Sequence, residues 1–217
     1  MNRKQRRAQE KVHPRTSPSL RLRVGQHPQQ RVVLHVGCGP HRSEQLEREF
    51  PKPDWVEVRL DIDPGAKPDI VASMTDLTMI ENAAVDAIFS SHNLEHLFAH
   101  EVPIALREFS RVLSGQGFAL IGVPDLQRVA AMIAEDKLGD TAYVSPAGPI
   151  APIDMVYGHR GYVALGMIYM AHKTGFTARS LAQSLVDNGF ARADVSRRDW
   201  DLWAIAQKTA PPAATSA

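Results

Sequence analysis

Short apolar runs alternating with stretches of helical periodicity rule out most architectures for this chain. Val32–Val36 (VVLHV) is a β-branched run that stops at Gly37, and Trp55–Leu60, Ile70-Val71, Val85–Ser90 and Phe118–Val123 follow as four more strand-like runs. Pro124 ends the last of them. Strands separated in this way by helical segments belong to a parallel sheet covered by helices, so a doubly wound α/β fold is expected. Ser43–Phe50 is expected as a short helix capped by Ser43, and Val102–Leu113 as a longer one with Ala105, Phe109, Val112 and Leu113 on its inner face. Thr177 is expected to cap a helix carrying Leu181 and Leu185 that stops at Asn188-Gly189. The runs 190–196 and 201–206 are so close in sequence that they must pair antiparallel, giving seven strands that end in a hairpin.

A chain of 217 residues with 44% hydrophobic content supports one buried core. Charge is uneven along it: residues 1–31 carry nine Lys or Arg against the single acid Glu10, which leaves sixteen bases and 23 acids elsewhere. Residues 1–30 are expected to be a disordered basic tail, 31–208 the folded domain, and 209–217 a second disordered tail. An acidic body repels polyanions, so no specific nucleic-acid partner is expected. The single cysteine, Cys38, allows no internal disulfide, and no run approaches the length of a membrane span or the pattern of a signal peptide. A cytoplasmic protein is the expectation, with its oligomeric state left open.

Chemistry enters at Gly37-Cys38-Gly39, where the first strand leaves the sheet and backbone without side chains lets a ligand approach closely. Asp61, 22 residues beyond Gly39 at the end of the second strand, is placed to accept hydrogen bonds from a ribose. Asp63 competes for that role, its other role being to start the turn at Pro64. These features suit a dinucleotide or S-adenosylmethionine alike. The third glycine of a dinucleotide fingerprint would fall at position 42, which is Arg42, so the dinucleotide is disfavoured.

Further along, Val85-Asp86-Ala-Ile-Phe-Ser-Ser-His92-Asn93-Leu94-Glu95-His96, then Glu108-Phe-Ser-Arg111-Val112-Leu113, Gly115-Gln-Gly117 and Val123-Pro124-Asp125 come in order. Together with the glycine turn they resemble the class I S-adenosylmethionine-dependent methyltransferases of the type 11 group, over roughly residues 31–125. The resemblance implies a Rossmann-like, mostly parallel seven-stranded sheet and S-adenosylmethionine as cofactor, with S-adenosylhomocysteine released. By position it implies that Gly37, Cys38 and Gly39 line the methionine part and that Asp61 holds the ribose. Ile62 would pack on the adenine, Asp76 and Leu77 would form the adenine-side loop, and Ser91, His92 and Asn93 would face the sulfonium and the substrate. The departures are His35, where the family has an acid, His41, where it often has a glycine, and Ser114-Gly115-Gln116 in a turn. His35 and His41 also support the rival reading, a non-catalytic binding or regulatory protein with the same fold.

His92 and His96 are candidate bases for an acceptor, or hydrogen-bonded core histidines. With His100 they fall four residues apart, which on one continuous helix would align three imidazoles. His92 closely follows a strand and Pro103 closely follows His100, so no such helix and no metal site are expected. The insertion 143–176 is expected to form an acceptor-side lid with Tyr157 and His159 as its working residues, Gly158 and Gly161 flanking His159-Arg160; a packed surface helix over Tyr162–Lys173 is the alternative, and the two are compatible. The acceptor class expected is a small molecule, a sugar or a lipid-linked group.

Overall fold

The computed structural model describes residues 30–40 and 44–209. The two expected disordered tails fall almost wholly outside these residues, as do His41, Arg42 and the Ser43 cap. Seven strands form one sheet in the order β3-β2-β1-β4-β5-β9-β8. They are β1 (Arg31–Val36), β2 (Trp55–Asp61), β3 (Ile70–Val71), β4 (Val85–Ser91), β5 (Leu113–Pro124), β8 (Arg192–Arg198) and β9 (Asp201–Gln207). Only β9 runs against its neighbours β5 and β8, and the other pairs are parallel. This is the expected Rossmann-like doubly wound sheet with its terminal hairpin.

The alternation of side chains along β1 explains why the sheet is covered on both faces. Val32, Leu34 and Val36 join a large core with α2 (Val102–Val112) and α6 (Ala178–Asp187), while Val33 packs on the opposite face with Leu46, Phe50, Trp55 and Phe89. Leu46 is the buried residue of the short α1 (Glu44–Glu49). On α2 the buried stripe is Val102, Ala105, Leu106, Phe109 and Val112, which recurs at helical spacing. Thr177 Oγ1 accepts from Ser180 N at 3.3 Å to cap α6, and Asn188 closes it, as expected.

Two local features depart from expectation. A further helix, α3 (Leu126–Ala134), follows β5, capped by Asp125, whose Oδ1 accepts from Gln127 N at 3.1 Å. The insertion holds no continuous helix over Tyr162–Lys173. It folds instead as a hairpin, β6 (Tyr143–Ser145) and β7 (Gly148–Ile150), then α4 (Pro152–Tyr157), α5 (Arg160–Ala164) and a 3-10 turn, Ile168–Met170. Gly166, at φ +89°, breaks the helical path between the last two, and neither has a buried residue to hold a longer helix in place.

Register brings the site together. Val36 at the end of β1 pairs with Leu60 of β2 and with Ser90 of β4. The residues that follow, Gly37, Asp61 and Ser91, therefore leave the sheet side by side at its carboxyl edge, where ligands bind in open α/β sheets.

Candidate cofactor and acceptor site

At that edge lies a cavity of about 680 Å³, lined by Gly37 and Gly39, by Asp61, Ile62 and Asp63, and by Ser91, His92 and Asn93. Gly37 has φ +63°, and a Cβ there would stand 1.9 Å from Asn93 Oδ1. Asn93 needs that space because its Nδ2 donates to Val36 O and Ser91 O, both at 2.9 Å, stapling the end of β1 to the end of β4. Gly39, at φ +58°, would point a Cβ at open space, with no atom within 4 Å among the described residues beyond its chain neighbours. Its N–H donates to Asp61 Oδ2 at 2.8 Å, and Asp63 N donates to Asp61 Oδ1 at 2.8 Å. The Arg59 guanidinium holds the same loop from below through Gly39 O.

Asp61 therefore faces the cavity with its oxygens fixed in place by backbone donors, while Asp63 is differently engaged. Asp63 Oδ1 accepts from Gly65 N at 2.8 Å in the turn at Pro64, and Oδ2 accepts from Tyr169 Oη at 3.1 Å. Tyr169 thus reaches from the insertion across the mouth of the cavity. Ile62, 59% exposed, is an unpaired apolar face on the wall, with Ala72 and Met74 further round it.

Cys38 is not among the lining residues and is buried. Burial, above all, pushes its thiol up to about 11; Arg59 pulls it down and Asp61 and Glu57 push it up. At about pH 8 the native thiol is expected to react with iodoacetamide at least about tenfold more slowly than in guanidinium, because the thiolate is the nucleophile. Equal rates, followed by intact-mass measurement, would show this loop to be open.

Asp76 and Leu77 do not line the cavity, whose wall here is Ser73 and Met74. Leu77 is fully buried, and Asp76 Oδ1 accepts from Thr78 Oγ1 at 2.7 Å; bonds from the Thr78 hydroxyl and N–H lower its pKa. Arg111 and Glu108 of α2 fix this loop: Arg111 donates to Leu77 O and Ile80 O, and Glu108 accepts from Leu77 N at 2.9 Å. That is the local work of the Glu-x-x-Arg pair.

His92 lines the cavity at φ +56°, its ring between two carboxylates: Nδ1 lies 3.4 Å from Glu95 Oε1 and Nε2 lies 3.3 Å from Asp201 Oδ2. Desolvation works against the charged ring, but contacts with Asp201 and Glu95 outweigh it and push the pKa up to about 10. Held as a cation, this imidazole donates hydrogen bonds and does not accept a proton. His96 also lines the cavity, in a 3-10 turn over Leu94–His96, so residues 92–100 do not form one helix. Its Nδ1 lies 3.2 Å from Ala171 O and its ring meets that of His172 edge-on at 4.9 Å.

Tyr157 and His159 are not brought to the cavity. Tyr157 is 64% exposed, and His159 caps α5, its Nδ1 accepting from Tyr162 N at 3.3 Å. The insertion instead presents Tyr162, Met167, Tyr169 and Met170 to the cavity. Gly158 allows this, since a Cβ there would stand 2.2 Å from Met170 O. Gly161 lies within α5 and makes no turn.

Asp154 is the node of the segment: buried, it accepts from Ala151 N at 3.0 Å, from Arg160 N at 3.2 Å and from the Arg160 guanidinium at 2.7 and 3.1 Å. Desolvation raises its pKa, yet these bonds outweigh it and hold the carboxyl below its ordinary value. Because the folded-state pKa is depressed, the stabilisation is full above the unfolded value and is lost as pH falls through the folded one. Asp154→Ala is expected to cost about 1–3 kcal/mol at neutral pH, measured by chemical unfolding, and to open the 143–176 segment to limited proteolysis. The same unfolding experiment run towards acid pH should show the wild type converging on the variant.

His35 does not obstruct the cavity. Its Nδ1 meets Glu57 Oε1 at 2.7 Å, and its ring packs edge-on against Phe89 in the layer opposite α2.

Residues 34–121 match the family model described as a methyltransferase domain, of the type 11 group. Among solved structures, a SAM-dependent methyltransferase from Archaeoglobus fulgidus is similar at 15% identity and a TM-score of 0.56, over 82% of this chain and 86% of the other. A SAM-dependent methyltransferase from Methanosarcina mazei is similar at 14% identity and 0.55, over 83% and 93%. The 1,6-didemethyltoxoflavin-N1-methyltransferase of Burkholderia thailandensis, with bound 1,6-didemethyltoxoflavin and S-adenosylhomocysteine, is similar at 17% identity and 0.50, over 86% and 75%. No curated protein matches the sequence. The fold, and the motifs carried by the matched segment, are those of the class I S-adenosylmethionine-dependent methyltransferases. Among the described residues no helix is long and apolar enough to cross a membrane.

Proposed function

We propose that this protein transfers the methyl group of S-adenosylmethionine to a small-molecule, sugar or lipid-linked acceptor. The pairing of Gly39 with Asp61 carries the reading: a bare backbone turned towards open space, beside a carboxylate held in position by that same backbone. Each Asp61 oxygen takes one backbone N–H, which leaves lone pairs on the carboxylate for two ribose hydroxyls. Ile62 and Met74 offer apolar surface to the adenine. The methionine end then falls between Gly37 and the His92-Asn93 turn.

When bound, the cofactor supplies a methyl group already activated on a sulfonium. What the protein adds is proximity and alignment, worth up to about 7–11 kcal/mol in well-oriented reactions. Tyr162, Met167 and Met170 form an apolar and aromatic wall suited to an organic acceptor, and Tyr169 closes over the ribose side through Asp63. On this reading the 143–176 segment is the acceptor-side lid, with its working residues at 162–170. The small acceptor held by the Burkholderia thailandensis N1-methyltransferase supports the small-molecule class. The rival, a non-catalytic protein, loses the support of His35, which lies off the cavity.

Calorimetric titration with S-adenosylmethionine and S-adenosylhomocysteine tests the cofactor, and mass spectrometry of an extract incubated with methyl-labelled cofactor tests the acceptor. Saturable binding of both nucleosides and one labelled product are expected. A flat titration would sink the proposal, and saturable binding of NADH in its place would assign the site to a dinucleotide.

A further inference from the structure

We infer that Glu95, His96 and His172 form a binding site for a divalent transition-metal ion, with zinc the best match to the donor set. Glu95 is 1% exposed, and neither of its carboxylate oxygens makes a hydrogen bond among the described residues. His92 Nδ1 stands 3.4 Å from Oε1 as an ion-pair partner without making a hydrogen bond, so this buried carboxylate keeps both oxygens open to a ligand. One donor atom from each of Glu95, His96 and His172 lies within 4.8 Å of the others.

The two imidazoles are oriented as metal ligands are. His96 Nδ1 faces Ala171 O at 3.2 Å and His172 Nδ1 faces Met155 O at 2.8 Å. A carbonyl only accepts, so Nδ1 donates in both rings, which leaves Nε2 as the nitrogen available to a metal, the support that metal-ligating histidines show. The main chains beside His172 and at Glu95 are also joined, because Lys173 N and Thr174 N both donate to the Glu95 backbone carbonyl, at 2.8 and 3.2 Å.

Two histidines and one glutamate are a ligand set of zinc sites that keep a fourth position open. Metal–donor bonds of about 2.1 Å put tetrahedral donors about 3.4 Å apart, so binding draws together donors that already lie within 4.8 Å of one another. The ion links the insertion, through His172, to the turn after β4, and its ligand His96 lines the cavity. His92 faces the same carboxylate from the other side, with Asp201 as its second acid. The rival occupant of Glu95 is thus the His92 imidazolium, and an ion pair alone would retain no metal.

The site does not depend on the cofactor reading and is tested without it. Tag-free full-length protein is loaded with ZnCl₂ or CoCl₂, desalted and analysed for metal by mass spectrometry, with Co²⁺ also read by its visible absorption. One equivalent and tetrahedral cobalt bands are expected. His172→Ala and Glu95→Gln are expected to weaken retention at least about tenfold, by analogy with the loss seen when even the partners of metal ligands are removed. His100→Ala, at an exposed histidine, should bind as the wild type does. Wild-type protein that emerges without stoichiometric metal overturns the inference, as does a folded His172→Ala that holds metal equally well. Should both ligand variants fail to fold, a chelator competition titration on the wild type decides the matter.

Discussion

Gly39→Val is expected to give a folded protein that no longer binds S-adenosylmethionine. Among the described residues, chain neighbours aside, nothing lies within 4 Å of the new Cβ, and Gly39 lines the cavity, so the valine is expected to grow into it. The cost to the fold is confined to the backbone, where φ of +58° suits glycine and costs an L-residue about 1–2 kcal/mol. The cost to binding is steric, since the valine occupies ligand volume beside Asp61. An affinity loss of at least about a hundredfold, or about 2.7 kcal/mol, is expected by calorimetry. Gly37→Ala separates the two effects. Its Cβ would overlap the Asn93 amide, so Asn93 must leave and give up its bonds to Val36 O and Ser91 O. That variant should lose clearly more stability in chemical unfolding than Gly39→Val does. If Gly39→Val bound the cofactor normally, the open face of Gly39 would not be where the ligand sits.

What could be read from the sequence was whatever rests on local pattern. The β-branched Val32–Val36 run, the helical stripe from Val102 to Val112 and the Thr177 cap each state their own element, and their order implies the sheet. Gly37, Gly39 and Asp61 were legible as a site because strand ends are where a doubly wound sheet binds ligands. Contacts made across the fold were not legible. The separation between Glu95 and His172 hides a pairing made by backbone bonds from Lys173 and Thr174. Asp76 and Leu77 were placed by resemblance, but Arg111 and Glu108 hold Leu77, which is buried, while Asp76 is exposed, and the wall here is Ser73 and Met74. The insertion misled for a physical reason. Val163, Met167 and Met170 have the spacing of a helical stripe, yet Gly166 interrupts it, and Tyr162 and Tyr169 face the cavity where Tyr157 and His159 had been expected. A capping signal for α3 was present in Asp125, at the strand's end.

Asp61→Ala is expected to weaken S-adenosylhomocysteine binding by about a hundredfold or more. Hydrogen bonds to a charged acceptor contribute about 1.5–3 kcal/mol each, and a ribose offers two hydroxyls to this carboxylate. The substitution also orphans Gly39 N and Asp63 N, both of which now donate to Asp61, so the loop itself loosens and stability falls modestly in thermal unfolding. Asp61→Asn keeps one acceptor oxygen in the same volume but sets its amide NH₂ against one of the two backbone donors, so affinity and stability are each expected to recover only in part relative to Asp61→Ala. Asp63 is the remaining contender for the ribose. It is already engaged by Gly65 N and by Tyr169 Oη, so Asp63→Ala should free the insertion from the cavity mouth with a smaller effect on binding of the nucleoside. If calorimetry instead shows Asp63→Ala to be the more damaging change, the ribose lies against the turn at Pro64, and the methyl group is carried away from the His92-Asn93 turn where an acceptor would have to meet it.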